Sequence, residues 1–261
     1  FEKESGTGSG EGDVSAFATL CTTMAADIGT GSIVGVATAL RIGGPGSLFW
    51  MWISAILGMV TKYSESLLAV KYRVTDENNQ MAGGPMFYIQ NGMGERFIWL
   101  AKVFSVFGMC TALFGCGTFP QVNAITESVN VTFHIPIIVA GVIITVLTAV
   151  VTIGGIKSIS KVAEIVVPIM ALTFLGGSVV ALVINRAAVP GAFKAIFTCA
   201  FAKESVIGGT AGTGVITFMT VMRTGIARGV YTNEAGLGSS PIVAAAAKTN
   251  SGVRQGLLSM T

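Results

Sequence analysis

The chain has 261 residues, of which 52% are hydrophobic and only 11% charged, whereas an ordinary soluble domain carries about 25% charged residues. With a mean hydropathy of +0.73, that balance excludes a water-soluble globule. The net charge of +3, from 16 basic and 13 acidic residues, gathers into no basic stripe and points to no nucleic-acid partner.

A spanning helix needs roughly 20 mostly apolar residues, and the chain offers them in order. Residues 14–40 carry a single charge, Asp27, and form the first predicted segment. Residues 47–72 form the second, with Trp50 and Trp52 near its start, where amphipathic rings favour the headgroup level. Residues 103–126, extended back to Phe97, form the third, and the uncharged runs 135–156 and 165–185 form the fourth and fifth. After Pro190 the pattern changes. Residues 193–201 and 205–222, the latter holding Gly208, Gly209, Gly212 and Gly214, read together as a sixth, interrupted segment, and 235–247 as a short seventh. So many uncharged runs leave almost no polar surface for water. The expected fold class is an all-α polytopic membrane protein.

Basic residues near the segment ends set the expected orientation. Lys3, Lys71, Arg73, Arg96, Lys157, Lys161, Arg223 and Arg228 fall on the side of the N-terminus, against Arg41, Arg186 and Lys194 opposite, so that side is predicted to be cytoplasmic. There is no initiator methionine, Phe1 opens a polar Gly/Ser/Glu run and the chain stops at Thr261 without a cap, so a longer parent protein is expected.

The first segment holds Ala25-Ala26-Asp27-Ile28-Gly29-Thr30-Gly31-Ser32-Ile33-Val34-Gly35 near its centre. Gly29 and Gly31 each cost about 1 kcal/mol against alanine in a helix, so a break is predicted there. It would turn carbonyls to one side and the N–H groups of Ser32 to Val34 to the other; carbonyls suit a small cation, and a helix N-terminus suits a carboxylate. Gly212-Thr213-Gly214-Val215-Ile216 echoes Gly29-Thr30-Gly31-Ser32-Ile33 in the sixth segment. Transporters built from inverted repeats place discontinuous helices at corresponding positions; close helix packing is the competing use of such glycines. Asp27 reads as a cation ligand, a partner for an amino group, a proton carrier, or a carboxylate paired within the structure. Lys62 and Glu65, three apart on one helix face, are expected to pair with each other. In the third segment Gln121 and Ile125 are one turn apart and face the same way, where the amide either reads a substrate or bridges two helices.

No catalytic set competes. His134 is the single histidine, which excludes paired-His metal motifs, and no nucleophile elbow is present. The glycines of the first segment miss the dinucleotide fingerprint. Cys21, Cys110, Cys116 and Cys199 match no zinc or disulfide framework and are expected to be buried thiols. Asn130-Val131-Thr132 matches a glycosylation sequon, a pattern short enough to arise by chance. Neither an enzyme nor a bound cofactor is expected.

The motifs Gly29-Thr30-Gly31-Ser32-Ile33-Val34-Gly35-Val36-Ala37-Thr38-Ala39, Gly43-Gly44-Pro45-Gly46-Ser47-Leu48-Phe49-Trp50-Met51-Trp52, Gly83-Gly84-Pro85-Met86-Phe87-Tyr88-Ile89, Gly154-Gly155-Ile156-Lys157 and Asn233-Glu234-Ala235-Gly236-Leu237-Gly238-Ser239 together resemble the alanine or glycine:cation symporters, which are usually sodium-coupled. The resemblance implies a LeuT-like bundle of two inverted five-helix repeats, with residues 1–185 as the first repeat and 186–261 as the beginning of the second. It implies a cell-membrane transporter importing alanine or glycine with Na+ as coupling ion and only transported metal. Thr30, Gly31 and Ser32 would hold the substrate carboxylate, with Gln121 lining the pocket, Ile125 shaping its apolar side, and Gly208 and Gly209 closing it. Asp27, Ile28 and Gly29 would face the cation. The chain departs from the family's usual pattern at Asp27, where a small or hydroxylated residue is common, at Ser32, where asparagine is, and at Ala18, where glutamine often stands. Competing expectations are a proton-coupled amino acid permease using Asp27 as carrier, and a membrane sensor that binds an amino acid without transporting it.

Overall fold

The computed structural model describes residues 12–114, 117–202, 204–207 and 214–260. Helices dominate: α1 (Ala16–Asp27), α2 (Thr30–Gly43), α3 (Gly46–Lys71), α4 (Pro85–Met93), α5 (Ile98–Leu113), α6 (Thr118–Phe133), α7 (Ile137–Ile153), α8 (Gly155–Ile184), α9 (Val189–Phe201), α10 (Phe218–Asn233), α11 (Ser239–Ala245) and α12 (Gly252–Met260). Two short antiparallel hairpins interrupt them, β1 (Val74–Thr75) with β2 (Met81–Ala82), and β3 (Glu204–Ile207) with β4 (Gly214–Thr217). Among the described residues, four stretches are long and apolar enough to cross a membrane: Ala16–Gly43, Gly46–Lys71, Glu95–Phe133 and Gly155–Ile184. Ile138, Ile153, Leu172 and Ile184 are each at least 72% exposed, a surface that water opposes and hydrocarbon accepts. The chain is a mostly helical, polytopic membrane protein.

Three expected segments differ in detail. The third is described as two helices, α5 ending at Leu113 and α6 beginning at Thr118, with residues 115–116 outside the described residues; the stretch carries no charge, so hydropathy hides the division. The fifth begins at Gly155, whose φ of +67° allows the turn out of α7, and takes in the polar stretch through Glu164 before the apolar run. The sixth is α9, a β-hairpin and α10. Gly214, Val215 and Ile216 are extended and pair with Ile207, Val206 and Ser205, so this part of the echo is strand; Gly212 and Thr213 lie outside the described residues. The β-branched residues of 206–207 and 215–217 favour that extended form.

The chain divides into two compact units, one of Phe1–Ala26, Val60–Val167 and Gly236–Thr261, the other of Asp27–Met59 and Pro168–Ala235. In the first, the residues ahead of α1 lie along those after α11. Asp13 N and Val14 N both donate to Ala246 O, at 2.9 and 3.0 Å, and Lys248 N returns a bond to Val14 O at 2.7 Å. The Asp13 carboxylate accepts Met81 N at 2.6 Å and pairs with Lys157 Nζ at 3.2 Å. Val14, Ala18 and Ala246 form a buried cluster with Ile156 against it; the short side chain of Ala18 suits this packing. Arg73, just beyond α3, donates through Nη1 to Ala245 O (3.0 Å) and Ala247 O (2.8 Å) and through Nη2 to Thr249 O (2.8 Å). Gly84, at φ +120°, has no room for a side chain, since a Cβ would lie 2.7 Å from Ile242 Cγ1 of α11. Pro85 then opens α4 at a position where its missing N–H costs nothing.

In the second unit the turn from α2 to α3 is closed by Ser47, whose hydroxyl donates to Gly44 O at 2.7 Å. Trp50 Nε1 donates to Ala200 O at 3.1 Å, and its ring meets those of Phe201 and Phe218 at centroid distances of 5.9 and 5.8 Å. Phe49 packs on Phe197 and Phe201 at 5.7 and 5.0 Å. Trp50 is therefore held in an aromatic cluster between α3 and α9, while Trp52 stays 41% exposed. Cys21 is buried and Cys110 and Cys199 are half-buried, none of the three in a disulfide; Cys116 lies outside the described residues.

Candidate functional site

The predicted break is present. α1 ends at Asp27, α2 begins at Thr30, and Gly29 between them is extended at φ −69° and ψ 157°. That conformation carries the Gly29 carbonyl over the new turn, where it accepts Ser32 N at 2.9 Å and Ile33 N at 3.2 Å. Two of the amides expected to face outward are therefore engaged within the cap itself. Thr30 is exposed, Gly31 and Ser32 are buried, and Asp27 is half-buried with its Oδ1 shielded from solvent. Asp27, Ile28, Gly29, Thr30, Gly31 and Ser32 thus form one continuous kink, joining a carboxylate and irregular backbone to a helix N-terminus. A helix start carries a partial positive charge, and so suits an anionic group.

Arg228 is the residue that sequence reasoning placed only as a flanking charge. From α10 its Nη2 donates to Gly31 O and also to Ser32 O at 3.3 Å. Its guanidinium carbon lies 4.7 Å from the centroid of the Tyr231 ring, a cation–π contact. One signal was available in the sequence: Gly225-Ile226-Ala227-Arg228-Gly229 puts an arginine on a helix among glycines spaced for close packing.

Gln121 and Ile125 both lie on α6 and are both half-buried, one turn apart as expected, in the first unit. Gly208 and Gly209 lie outside the described residues. Lys62 is buried at 6% exposure on α3, three residues before Glu65 on the same helix. Glu65 Oε2 accepts Gly236 N at 3.3 Å, a partner from the Asn233–Ser239 motif that spacing along α3 does not reveal. The hydroxyl of Tyr88 on α4 is pushed up to about 12, by burial first and by the Glu65 charge second, so it stays protonated at neutral pH. Asn130 Nδ2 donates to Ile135 O at 2.9 Å and so closes the end of α6.

Comparison with known proteins assigns the whole length. Residues 1–261 match the profile of the sodium:alanine symporter family. An uncharacterized transporter of Haemophilus influenzae is 53% identical over 261 residues, covering 100% of this chain and 56% of that protein. The sodium/alanine symporter AgcS of Methanococcus maripaludis is 45% identical over 253 residues, covering 96% and 54%. The probable sodium/glutamine symporter GlnT of Bacillus subtilis is 34% identical over 257 residues, covering 98% and 51%. The chain thus spans about half the length of the curated relatives it matches. A profile matched from end to end, together with a broken helix inside an apolar span, makes the conclusion plain: the chain belongs to the sodium:alanine symporter family.

Proposed function

We propose that this chain is part of a secondary active transporter that imports a small neutral amino acid, alanine or glycine, together with Na+, by alternating access around a midplane site in the cell membrane. The observation that carries this reading is the break at Ile28–Gly29 within Ala16–Gly43, a stretch otherwise long and apolar enough to span a bilayer. Irregular backbone is tolerated in hydrocarbon only where protein or a water-filled cavity satisfies it. Asp27, Ile28 and Gly29 are assigned to the cation, and Thr30, Gly31 and Ser32 to the substrate carboxylate. Gln121 and Ile125 are assigned to substrate recognition, and Gly208 and Gly209 to closure. A LeuT-like inverted-repeat bundle, with 1–185 as first repeat and 186–261 as the beginning of the second, is the architecture proposed to go with these roles. Cation and carboxylate offset each other's charge in a poorly solvated kink, so binding of one favours the state that binds the other. No covalent step or cofactor is needed.

A second reading keeps transport and changes the ion. The Asp27 carboxylate, with a solvent-shielded oxygen at the break, suits a proton carrier as well as a Na+ ligand. Uptake of labelled alanine, glycine and glutamine into vesicles holding the complete polypeptide separates the two. The Na+ reading expects alanine or glycine to accumulate on an inward Na+ gradient and not when K+ replaces Na+. Accumulation that follows a pH gradient and ignores Na+ removal would select the proton reading. Saturable alanine binding without accumulation under either gradient would leave a sensor in place of a transporter.

A further inference from the structure

The rotation of α10 is set by its glycines. Gly225 and Gly229 are buried one turn apart and lie on α3, where a Cβ would come within 2.6 Å of Trp50 Cβ and 2.8 Å of Ser54 Cβ. With that side of the helix committed, Thr224 and Arg228 meet α2. The Thr224 side chain lies against Gly43, and the Arg228 guanidinium fills the space that a Cβ on Gly35 would need. From there it bridges two successive carbonyls, those of Gly31 and Ser32. Its Nε is buried without a hydrogen-bond partner among the described residues, a cost accepted so that the other end of the fork can reach the backbone. Both bonds leave one nitrogen, Nη2, whose N–H directions are fixed in the guanidinium plane; the ammonium of lysine ends one bond short of that position and lacks the planar geometry.

We propose that Arg228 is a positioning residue of the transport site: through the carbonyls of Gly31 and Ser32 it holds the first turn of α2 in the conformation that accepts substrate, and position 35 is glycine because the guanidinium passes there. The inference rests on the reading of Thr30, Gly31 and Ser32 as the substrate turn. It adds to that reading a link between α2 and α10, so that movement of α10 reaches the turn directly.

The test is uptake of labelled alanine by the complete transporter in proteoliposomes, with alanine and Na+ varied independently and rates divided by the amount of folded protein. Arg228→Lys keeps the charge, and Gly35→Ala keeps the arginine while improving local helix propensity. Each is expected to raise the KM for alanine about tenfold, the loss of one charge-assisted bond, with kcat changed far less. Because both act on one contact, Gly35→Ala should add nothing in an Arg228→Ala background. Wild-type KM in both single variants overturns the proposal, and so do effects of Gly35→Ala and Arg228→Ala that multiply. Thr30→Val separates this from failure of the parent reading. If it raises KM while Arg228→Lys and Gly35→Ala do not, Arg228 alone is misassigned. An unchanged KM in Thr30→Val sinks the substrate turn, and the role of Arg228 with it.

Discussion

Arg73→Ala is expected to cost the folded protein on the order of 3–5 kcal/mol, because hydrogen bonds to a charged group contribute roughly 1.5–3 kcal/mol each and do not add fully. The guanidinium meets three carbonyls, at Ala245, Ala247 and Thr249. These residues are 0%, 0% and 8% exposed, so water cannot replace the lost donors. The same segment carries Lys248 N to Val14 O and the two amides that donate to Ala246 O. Loosening residues 245–249 should therefore also free the chain ahead of α1. Thermal denaturation of detergent-solubilised protein, followed by size exclusion, measures the loss. Arg73→Lys should recover part of it, since one ammonium can meet one or two of the carbonyls. A melting point unchanged in Arg73→Ala would mean that other contacts hold α11 in place.

Asp27→Asn is expected to raise the Na+ concentration for half-maximal alanine uptake at least about tenfold, equivalent to roughly 1.4 kcal/mol. A carboxylate about 4 Å from a monovalent cation contributes on the order of 4 kcal/mol at an effective dielectric of about 20. Asparagine keeps an oxygen ligand and loses the charge, so part of that contribution survives. The carboxylate stands at the last residue of α1, two residues before the extended Gly29. The measurement is a Na+ titration of uptake at saturating alanine. An unchanged Na+ curve together with loss of pH dependence would move Asp27 to the proton-carrier role, and two unchanged curves would make it a structural residue.

Much of this was legible from residue order, because the bilayer imposes a strong one-dimensional rule on length and polarity. The first segment was marked by its lone Asp27 and by Gly29 and Gly31, and the structure breaks the helix there. The one-turn spacing of Gln121 and Ile125 on α6 is equally local. What stayed hidden depended on distant partners or on backbone detail. Arg228 meets Gly31 across 197 residues, and nothing in the periodicity of α10 names that partner. The division between α5 and α6 lies within an uncharged run, so hydropathy passes over it. Two of the three amides expected to face outward do not, because the Gly29 carbonyl takes Ser32 N and Ile33 N. The β3–β4 pairing overrode a helix reading for the same kind of reason: glycine-rich sequence with β-branched neighbours is weakly helical, and hydrogen bonding to a second strand decides its form.

The claim that the kink at Asp27 to Ser32 is the substrate and ion site is tested most directly by ligand protection. Val34 lies one turn beyond Thr30 on the same face of α2 and is 49% exposed. In the complete transporter, with its native cysteines replaced, Val34→Cys is alkylated by a small polar thiol reagent and the rate is followed with and without ligands. Alanine plus Na+ should slow the reaction several-fold, while alanine in K+ should slow it far less. A rate indifferent to alanine, or slowed equally in Na+ and K+, would contradict the account.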